Sequence, residues 1–202
     1  MSLNIDSVNE VDGKKVFVID DAFDDDVQRK WIDFYRSVPF FNSGVALNIP
    51  DGEAVVNFHS NFSLAEYMNI FPVNDIMEIM KMINPGVTTK HFHRSYINAI
   101  KKNNESDGHF DFENINDDPN LFYIVALWMA NPFLEPDTGG GISFGNLLLE
   151  TIEYKWNRLI IFDGSIYHKI QEHTSNFTRL TTYTGFTNTQ KNMTVYRGFN
   201  KW

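Results

Sequence analysis

A run of nine apolar residues, FYIVALWMA, occupies positions 122–130 of the chain. Because every position is apolar, a strand formed here would be buried on both faces. Turn-forming residues separate this run from other short segments with β-type patterns, which is typical of a β-sandwich or barrel. These segments are 94–100, 141–144, 147–153, 158–163, 166–171 and 179–187.

The residues before this β-rich part indicate helices. Lys15–Ile19 has the pattern of a first strand, and Asp24 is a suitable N-cap for a helix that runs to about Ser37. A second helical region is expected at about 64–83, with an apolar stripe typical of a face that packs on a core. The stripe consists of Ile76, Ile79, Met80 and Ile83.

These patterns together predict a mainly β fold with N-terminal helices, namely a double-stranded β-helix, or jelly roll. We expect a single domain over residues 1–202, with a helical support region at about 20–85 and a jelly-roll core at about 88–190. The helices would cover one sheet of the roll. Residues 40–62 are rich in Asn, Gly, Pro and Asp and predict a long loop, with room for short strands.

Composition and charge exclude several classes of protein. The chain has no cysteine, which rules out disulfides, cysteine-bound zinc and iron–sulfur clusters. Its net charge of -9 disfavours nucleic-acid binding, because phosphate backbones would be repelled. No apolar segment is long enough to cross a membrane, and Met1–Lys15 lacks the apolar core of a signal peptide. We therefore expect a cytoplasmic protein without membrane or nucleic-acid partners; its oligomeric state is not encoded in any pattern we recognise.

Two potential metal ligands lie close together in Gly108–Phe112. Side chains alternate between the faces of a strand, so His109 and Asp111 would share one face. One His and one carboxylate form two-thirds of a facial triad, which leaves three open positions on iron. His-x-Asp alone is a weak motif, and a distant His is needed to complete the triad. His168, in a β segment that follows the turn 163–165, is the candidate.

A potential anion-binding pair opens the last β segment. Arg179 and Thr181 share a strand face by the same period of two. A guanidinium donates two parallel hydrogen bonds to a carboxylate, and the Thr hydroxyl adds another. An Arg that faces into a barrel needs an anion, because burying an unpaired charge is costly. A dicarboxylate ligand would supply that anion.

The order His109-x-Asp111, His168 and Arg179-x-Thr181 resembles the motif of the 2-oxoglutarate/Fe(II)-dependent oxygenases, in particular their prolyl 4-hydroxylase-like branch. The segments 94–98, 139–144 and 157–162 also resemble strands of that family, so the similarity covers about half of the chain. The Asn-rich, Cys-free composition is similar to that of small phage and bacterial members. One departure is Met129, where a Tyr is common in the animal hydroxylases.

The resemblance implies an enzyme with Fe(II), 2-oxoglutarate and O2 as cofactor and co-substrates. His109, Asp111 and His168 would hold the iron, and Arg179 and Thr181 would bind the far carboxylate of 2-oxoglutarate. Tyr96 and Asn98 share a strand face, so either could reach the co-substrate as well. Such an enzyme hydroxylates an unactivated C–H bond and decarboxylates 2-oxoglutarate to succinate and CO2. The substrate would be a prolyl residue in a peptide or a small metabolite.

Two other readings of the sequence stay open. A cupin-like metal dioxygenase without 2-oxoglutarate would recruit more His ligands, such as His91 or His93, although the sequence favours placing these two outside the site. A non-catalytic jelly-roll binding module would have no affinity for iron. Jelly rolls host many functions, so the fold alone does not decide between these readings. The loops at 40–62, 101–108 and 113–120 are expected to shape the substrate pocket.

Overall fold

The apolar run at 122–130 forms a strand in which all seven residues, Tyr123–Met129, are buried. The protein is represented by a computed structural model that describes residues 3–37, 41–42, 58–103, 105, 108–112, 120–134, 137–148 and 150–189. The strands are β1 (Ser7–Val11), β2 (Lys14–Ile19), β3 (Phe41–Asn42), β4 (Phe58–Phe62), β5 (Phe92–Ile100), β6 (Tyr123–Met129), β7 (Ile142–Phe144), β8 (Glu150–Ile152), β9 (Leu159–Asp163), β10 (His168–Ile170) and β11 (Arg179–Thr187). The helices are α1 (Asp25–Ser37), α2 (Leu64–Ile70) and α3 (Val73–Met80), with a 3-10 turn at Thr89–His91.

The strands form two antiparallel sheets. The larger sheet has the order β1-β2-β9-β6-β11-β5-β4-β3, and the smaller sheet has the order β10-β7-β8. This arrangement confirms the jelly-roll expectation. Strand β6 lies near the middle of the large sheet, between β9 and β11, which explains why none of its residues is exposed.

Alternation along β6 divides the interior into two cores. Ile124, Ala126 and Trp128 belong to a core that includes buried residues of α1, α2 and α3. The intervening residues Tyr123, Val125 and Leu127 belong to a second core shared with Ile142 and Phe144 of the small sheet. The helices therefore cover one face of the large sheet, as expected, and the other face lines the interior of the roll.

The first helix begins as the sequence predicts. The Asp24 carboxylate accepts hydrogen bonds from the backbone amides of Asp26 and Val27 at 3.1 and 3.0 Å, which is the geometry of an N-cap. The side chains of Val27 and Trp31 are buried, and the Trp31 indole donates to the Thr182 hydroxyl at 2.9 Å. This bond joins α1 to the centre of the large sheet.

The helical region predicted at about 64–83 is present and consists of two helices, a division that was not predicted. Phe71 has extended backbone angles between α2 and α3. Pro72 explains the break, because a proline disfavours helical geometry at the residue before it. The expected core stripe is confirmed for Ile76, Ile79 and Met80, which are buried. Ile83 is partly buried and packs against the same core.

The sequence analysis missed strand β1. It pairs with β2 as a hairpin whose turn contains Asp12 and Gly13, both with positive φ. Asp-Gly between two short β-forming runs is the usual signal for such a turn. Of the loop expected at 40–62, the structure describes β3 and β4 at its two ends; residues 43–57 lie outside the described part, as do 113–119. Within the described part, no helix is long and apolar enough to span a membrane.

Candidate metal centre

Two backbone hydrogen bonds bring the first and last candidate ligands together. The amide of His109 donates to the carbonyl of His168, and the amide of His168 donates to the carbonyl of His109, both at 2.9 Å. His109 forms this bridge alone and is not part of a longer strand, so the expectation of a regular strand at 108–112 was wrong. The chain bends at Asp111, whose amide donates to the carbonyl of Gly164 at 2.9 Å.

The ligand atoms of His109, Asp111 and His168 lie within 4.8 Å of one another. Nε2 of His109 is 3.9 Å from Oδ1 of Asp111, and Nε2 of His168 is 3.5 Å from Oδ2. Asp111 and His168 are buried, whereas His109 is partly exposed. A single ion could therefore contact all three side chains, and two imidazoles with one carboxylate are the donor set of non-haem Fe(II) oxygenases.

The surroundings of His168 prepare it to bind a metal ion. Its Nδ1 lies 2.9 Å from the carbonyl of Ile166 and donates to it in the neutral tautomer that leaves a lone pair on Nε2. Burial lowers the pKa of His168 to about 4, although the nearby Asp111 opposes this shift. The imidazole is therefore neutral near pH 7, which is the state that a metal ligand requires. The three residues fit the metal that the sequence pattern implied.

Arg179 is fully buried at the start of β11. Its Nε donates to the carbonyl of Gly140, and its Nη1 makes a long contact of 3.5 Å with the hydroxyl of Thr181. Its Nη2 is buried without a hydrogen-bond partner, and no carboxylate among the residues described lies within 4 Å of it. Burial lowers the pKa of Arg179 to about 10, but the side chain stays charged near pH 7. The structure thus contains a buried cation with an unused donor.

Gly140 and Tyr154 pack closely around Arg179. Gly140 has a φ of +78°, and a Cβ added there would lie 3.3 Å from Cδ of Arg179 and 3.2 Å from Cβ of His173. The Tyr154 ring centroid is 5.5 Å from the guanidinium carbon of Arg179. The Tyr154 hydroxyl is itself fixed by the amide of Asn131 at 2.7 Å and the carbonyl of Leu180 at 3.0 Å. The unused donor of Arg179 suits one carboxylate of a dicarboxylate ligand.

The remaining candidate residues lie on the adjacent strand. Thr181 pairs with Asn98 and Tyr183 pairs with Tyr96 in the register of β11 and β5. The Tyr96 and Tyr183 rings stack with centroids 4.7 Å apart. The side-chain oxygen of Asn98 is buried and has no hydrogen-bond partner among the described residues. Asn98 therefore offers an acceptor on the same strand pair as Thr181.

Comparison with known proteins identifies the fold. No family model matches the sequence, and no curated protein matches it. A viral collagen prolyl hydroxylase from Paramecium bursaria Chlorella virus-1, solved with 2-oxoglutarate, matches with a TM-score of 0.59 at 16% identity, over 89% of this chain and 99% of that one. The fold is that of the 2-oxoglutarate/Fe(II) oxygenases.

Other solved structures of this oxygenase fold differ in their ligands. A prolyl 4-hydroxylase from Pseudomonas putida matches with a TM-score of 0.56 at 13% identity, over 85% of this chain and 91% of that one. HygX from Streptomyces hygroscopicus, with nickel, 2-oxoglutarate and hygromycin B bound, matches with a TM-score of 0.59 at 10% identity, over 85% of this chain and 82% of that one. At these identities the comparisons show a shared fold.

The other histidines whose side chains are described, His91, His93 and His173, do not join this cluster of potential ligands. His109, Asp111 and His168 form the one cluster of potential ligands found in the described part of the chain. Nδ1 of His91 accepts a hydrogen bond from the amide of Thr88 at 3.0 Å. His173 is fully buried, and its Nε2 lies 3.1 Å from the carbonyl of Ile100. The side chain of His59 lies outside the described residues.

The sequence analysis missed two residues that line the site. Arg94 has its Nη2 3.7 Å from Oδ1 of Asp111. The period of two that paired Tyr96 with Asn98 would also have placed Arg94 on their face, so this signal was present. Tyr154, which packs on Arg179, follows strand β8 in an irregular segment, and no sequence periodicity points to it.

Proposed function

We propose that this protein is a 2-oxoglutarate- and Fe(II)-dependent oxygenase that hydroxylates a C–H bond. In that reaction O2, 2-oxoglutarate and R–H give R–OH, succinate and CO2. One oxygen atom of O2 enters R–OH and the other enters succinate. The observation that supports it most is the combination of two sites on one jelly roll. One is the cluster His109, Asp111 and His168, and the other is the buried Arg179 with an unused donor.

The chain's own residues divide the work between these sites. His109, Asp111 and His168 would hold the iron, which supplies the oxidising chemistry when O2 and the co-substrate are bound. Arg179 and Thr181 would bind the far carboxylate of 2-oxoglutarate and so direct its 2-oxo acid end to the metal side of the pocket. Asn98 and Tyr96, on the neighbouring strand, are placed to contact the co-substrate between these ends.

Buried apolar residues would keep water away from the reacting atoms. Phe144 and Phe162 pack on His168, with ring centroids 6.1 and 5.1 Å from the imidazole. Phe112 is buried directly after Asp111. Exclusion of water limits side reactions of a strong oxidant. The substrate would enter on the side of His109, because it is the partly exposed ligand of the three.

The proposal is tested by CO2 release from 2-oxoglutarate labelled at its 2-oxo acid carboxyl group. With Fe(II) and O2 we expect slow release of labelled CO2 and an equal amount of succinate even without the substrate. Asp111→Asn should abolish this release because it removes the anionic metal ligand. The matched variant Asp26→Asn, at an exposed position of α1, should retain it. Release no greater than in iron-free protein, from folded protein that has bound both Fe(II) and 2-oxoglutarate, would contradict the proposal.

A further inference from the structure

A β-bulge turns two basic side chains towards the interior of the roll. Gly185 of β11 pairs with Arg94, but the next residue, Phe186, pairs with Phe92, so His93 is an extra residue in β5. The His93 ring is 6.1 Å from the Tyr123 ring, and the guanidinium carbon of Arg94 is 5.3 Å from the Tyr183 ring. Both tyrosines belong to the core between the sheets. His93 and Arg94 therefore both face the metal side of the site, as bulges near active sites commonly arrange.

The residues around Arg94 are mostly uncharged. Its guanidinium carbon lies 5.6 Å from the Tyr96 ring centroid and 5.3 Å from that of Tyr183. Burial raises the pKa of Tyr123 to about 12 and raises the pKa of Tyr183 well above its usual value, so both phenols are neutral near pH 7. Asp111 is the one carboxylate found within 4 Å of Arg94 in the described chain, and Nε of Arg94 is buried without a hydrogen-bond partner.

Binding of Fe(II) and 2-oxoglutarate, which rests on the proposed function, changes the charge balance around Arg94. Fe(II) brings two positive charges, and Arg94 and Arg179 bring one each. Asp111 brings one negative charge and 2-oxoglutarate brings two. One positive charge is left over in the site, and Asp111, as a metal ligand, no longer neutralises Arg94. A partly buried charge without a counter-ion is unfavourable, so the site favours a further anion.

A polar cleft lies beside His93. It has a volume of about 230 Å³, and its lining residues are Lys90, His91, Phe92, His93, Thr187, Asn188 and Thr189. None of these residues is acidic, and Lys90 adds a positive charge, although the chain as a whole has a net charge of -9. Among the described lining residues the charged side chain is therefore a cation, and a cation beside a cleft favours anionic ligands over neutral ones.

We propose that Arg94 binds a carboxylate of the primary substrate, so that this protein oxidises a small organic acid. Arg94 acts here as a specificity-determining residue, and the half-exposed cleft beside His93 receives the rest of the molecule. An uncharged prolyl residue within a peptide would leave Arg94 without an anion. The carboxylate would lie close to the metal, because Arg94 is 3.7 Å from a metal-ligand oxygen.

The test compares acids with their own amides, which have nearly the same shape and no charge. Pentanoate and pentanamide, 3-methylbutanoate and its amide, and L-proline and L-prolinamide are titrated calorimetrically into protein saturated with Mn(II) and 2-oxoglutarate. Mn(II) replaces iron so that no turnover occurs. We expect at least one acid to bind about tenfold more tightly than its amide, because a carboxylate forms a charge-assisted hydrogen bond with Arg94 that solvent partly screens.

Variants assign this preference to one residue. Arg94→Met should reduce the ratio between acid and amide to about one. Arg94→Lys should keep part of it, which shows that charge and not folding is responsible. Arg29→Met removes the same charge from an exposed position of α1 and should leave the ratio unchanged. Acids that bind no better than amides, including the case in which neither binds, would overturn the inference, as would a preference that persists in Arg94→Met.

Two further outcomes give Arg94 a different role and also overturn the inference. Loss of Mn(II) binding in Arg94→Met would show that Arg94 positions Asp111. A tenfold or larger loss of 2-oxoglutarate affinity would show that the anion bound by Arg94 is the co-substrate. Failure of the wild-type protein itself to bind Mn(II) or 2-oxoglutarate would instead count against the proposed function.

Discussion

Replacing Arg179 by Met should greatly weaken the binding of 2-oxoglutarate and change the stability of the unliganded protein little. Met replaces the aliphatic part of the Arg side chain but carries no charge and no donors. Arg179 is fully buried and lacks a carboxylate partner among the described residues. Removing one partner of a desolvated, hydrogen-bonded charge pair typically costs about 2–5 kcal/mol of binding free energy. We therefore expect the Kd of 2-oxoglutarate to rise by about 30-fold to several thousand-fold.

The free protein should respond much less. Burial lowers the pKa of Arg179 from 12.5 to about 10, which corresponds to a cost of about 3 kcal/mol for holding the cation without a ligand. Met removes this cost, but it leaves the carbonyl of Gly140 without the Nε donor, a loss of about 1–3 kcal/mol. The two effects nearly cancel, so the free energy of unfolding of the unliganded variant should change by less than about 2 kcal/mol.

Calorimetric titration of 2-oxoglutarate into the Mn(II)-loaded protein measures the first effect, and urea unfolding of the metal-free protein measures the second. Arg29→Met is the matched control, because it removes an exposed charge whose ion pair with Asp26 spans 3.9 Å. Normal 2-oxoglutarate affinity in Arg179→Met would refute the assignment of Arg179 as the anchor. A large loss of stability together with unchanged affinity would show that Arg179 is a structural residue.

Three further predictions concern the folded scaffold. The pKa of His168 is about 4 in the folded protein, below its value in the unfolded chain, so acid favours unfolding. The metal-free protein should keep its full stability above pH 6.5 and lose about 3 kcal/mol as the pH falls to 4. Urea unfolding measured across this pH range should show no such loss in His168→Gln. In Gly164→Ala the new Cβ would lie 2.6 Å from Cδ1 of Tyr123 and 3.2 Å from Cβ of Asp111. We therefore expect weaker Mn(II) binding in a titration and a loss of about 1–3 kcal/mol of stability in urea unfolding. Unchanged Mn(II) affinity would contradict this prediction. Asp24→Ala should cost about 1 kcal/mol, seen as a fall of about 2–4 °C in Tm, and no fall would argue against its role as the N-cap of α1.

Much of the fold could be predicted because burial leaves a direct mark on the sequence. Strand β6 is apolar at every position since it has a core on each side. Strand β11 was predicted with its observed bounds, Arg179–Thr187. The break between α2 and α3 was not predicted, because the apolar stripe gives no sign of it, although Pro72 marks its position. Periodicity describes which face is buried and is a poorer guide to where an element ends.

The candidate site was predictable in part for a different reason. His109 and Asp111 converge with His168 as expected, but an isolated bridge and a bend achieve this in place of a regular strand. Contacts between distant segments, such as Tyr154 against Arg179, depend on how the sheets pack and leave no local pattern. Arg94 could have been found from alternation alone, because it lies two positions before Tyr96. The single-domain boundaries and the assignment of the co-substrate contacts stay predictions.

The central claim, that His109, Asp111 and His168 hold an iron to which 2-oxoglutarate binds, is tested most directly by a visible absorption spectrum recorded without oxygen. Fe(II) and 2-oxoglutarate are added separately and then together, with His109→Ala as the variant and Asp26→Asn as the control. We expect a weak charge-transfer band of the chelate that needs both additions, persists in Asp26→Asn and disappears in His109→Ala. Folded wild-type protein that binds Fe(II) but shows no band with 2-oxoglutarate would contradict it, as would a band of full intensity in His109→Ala.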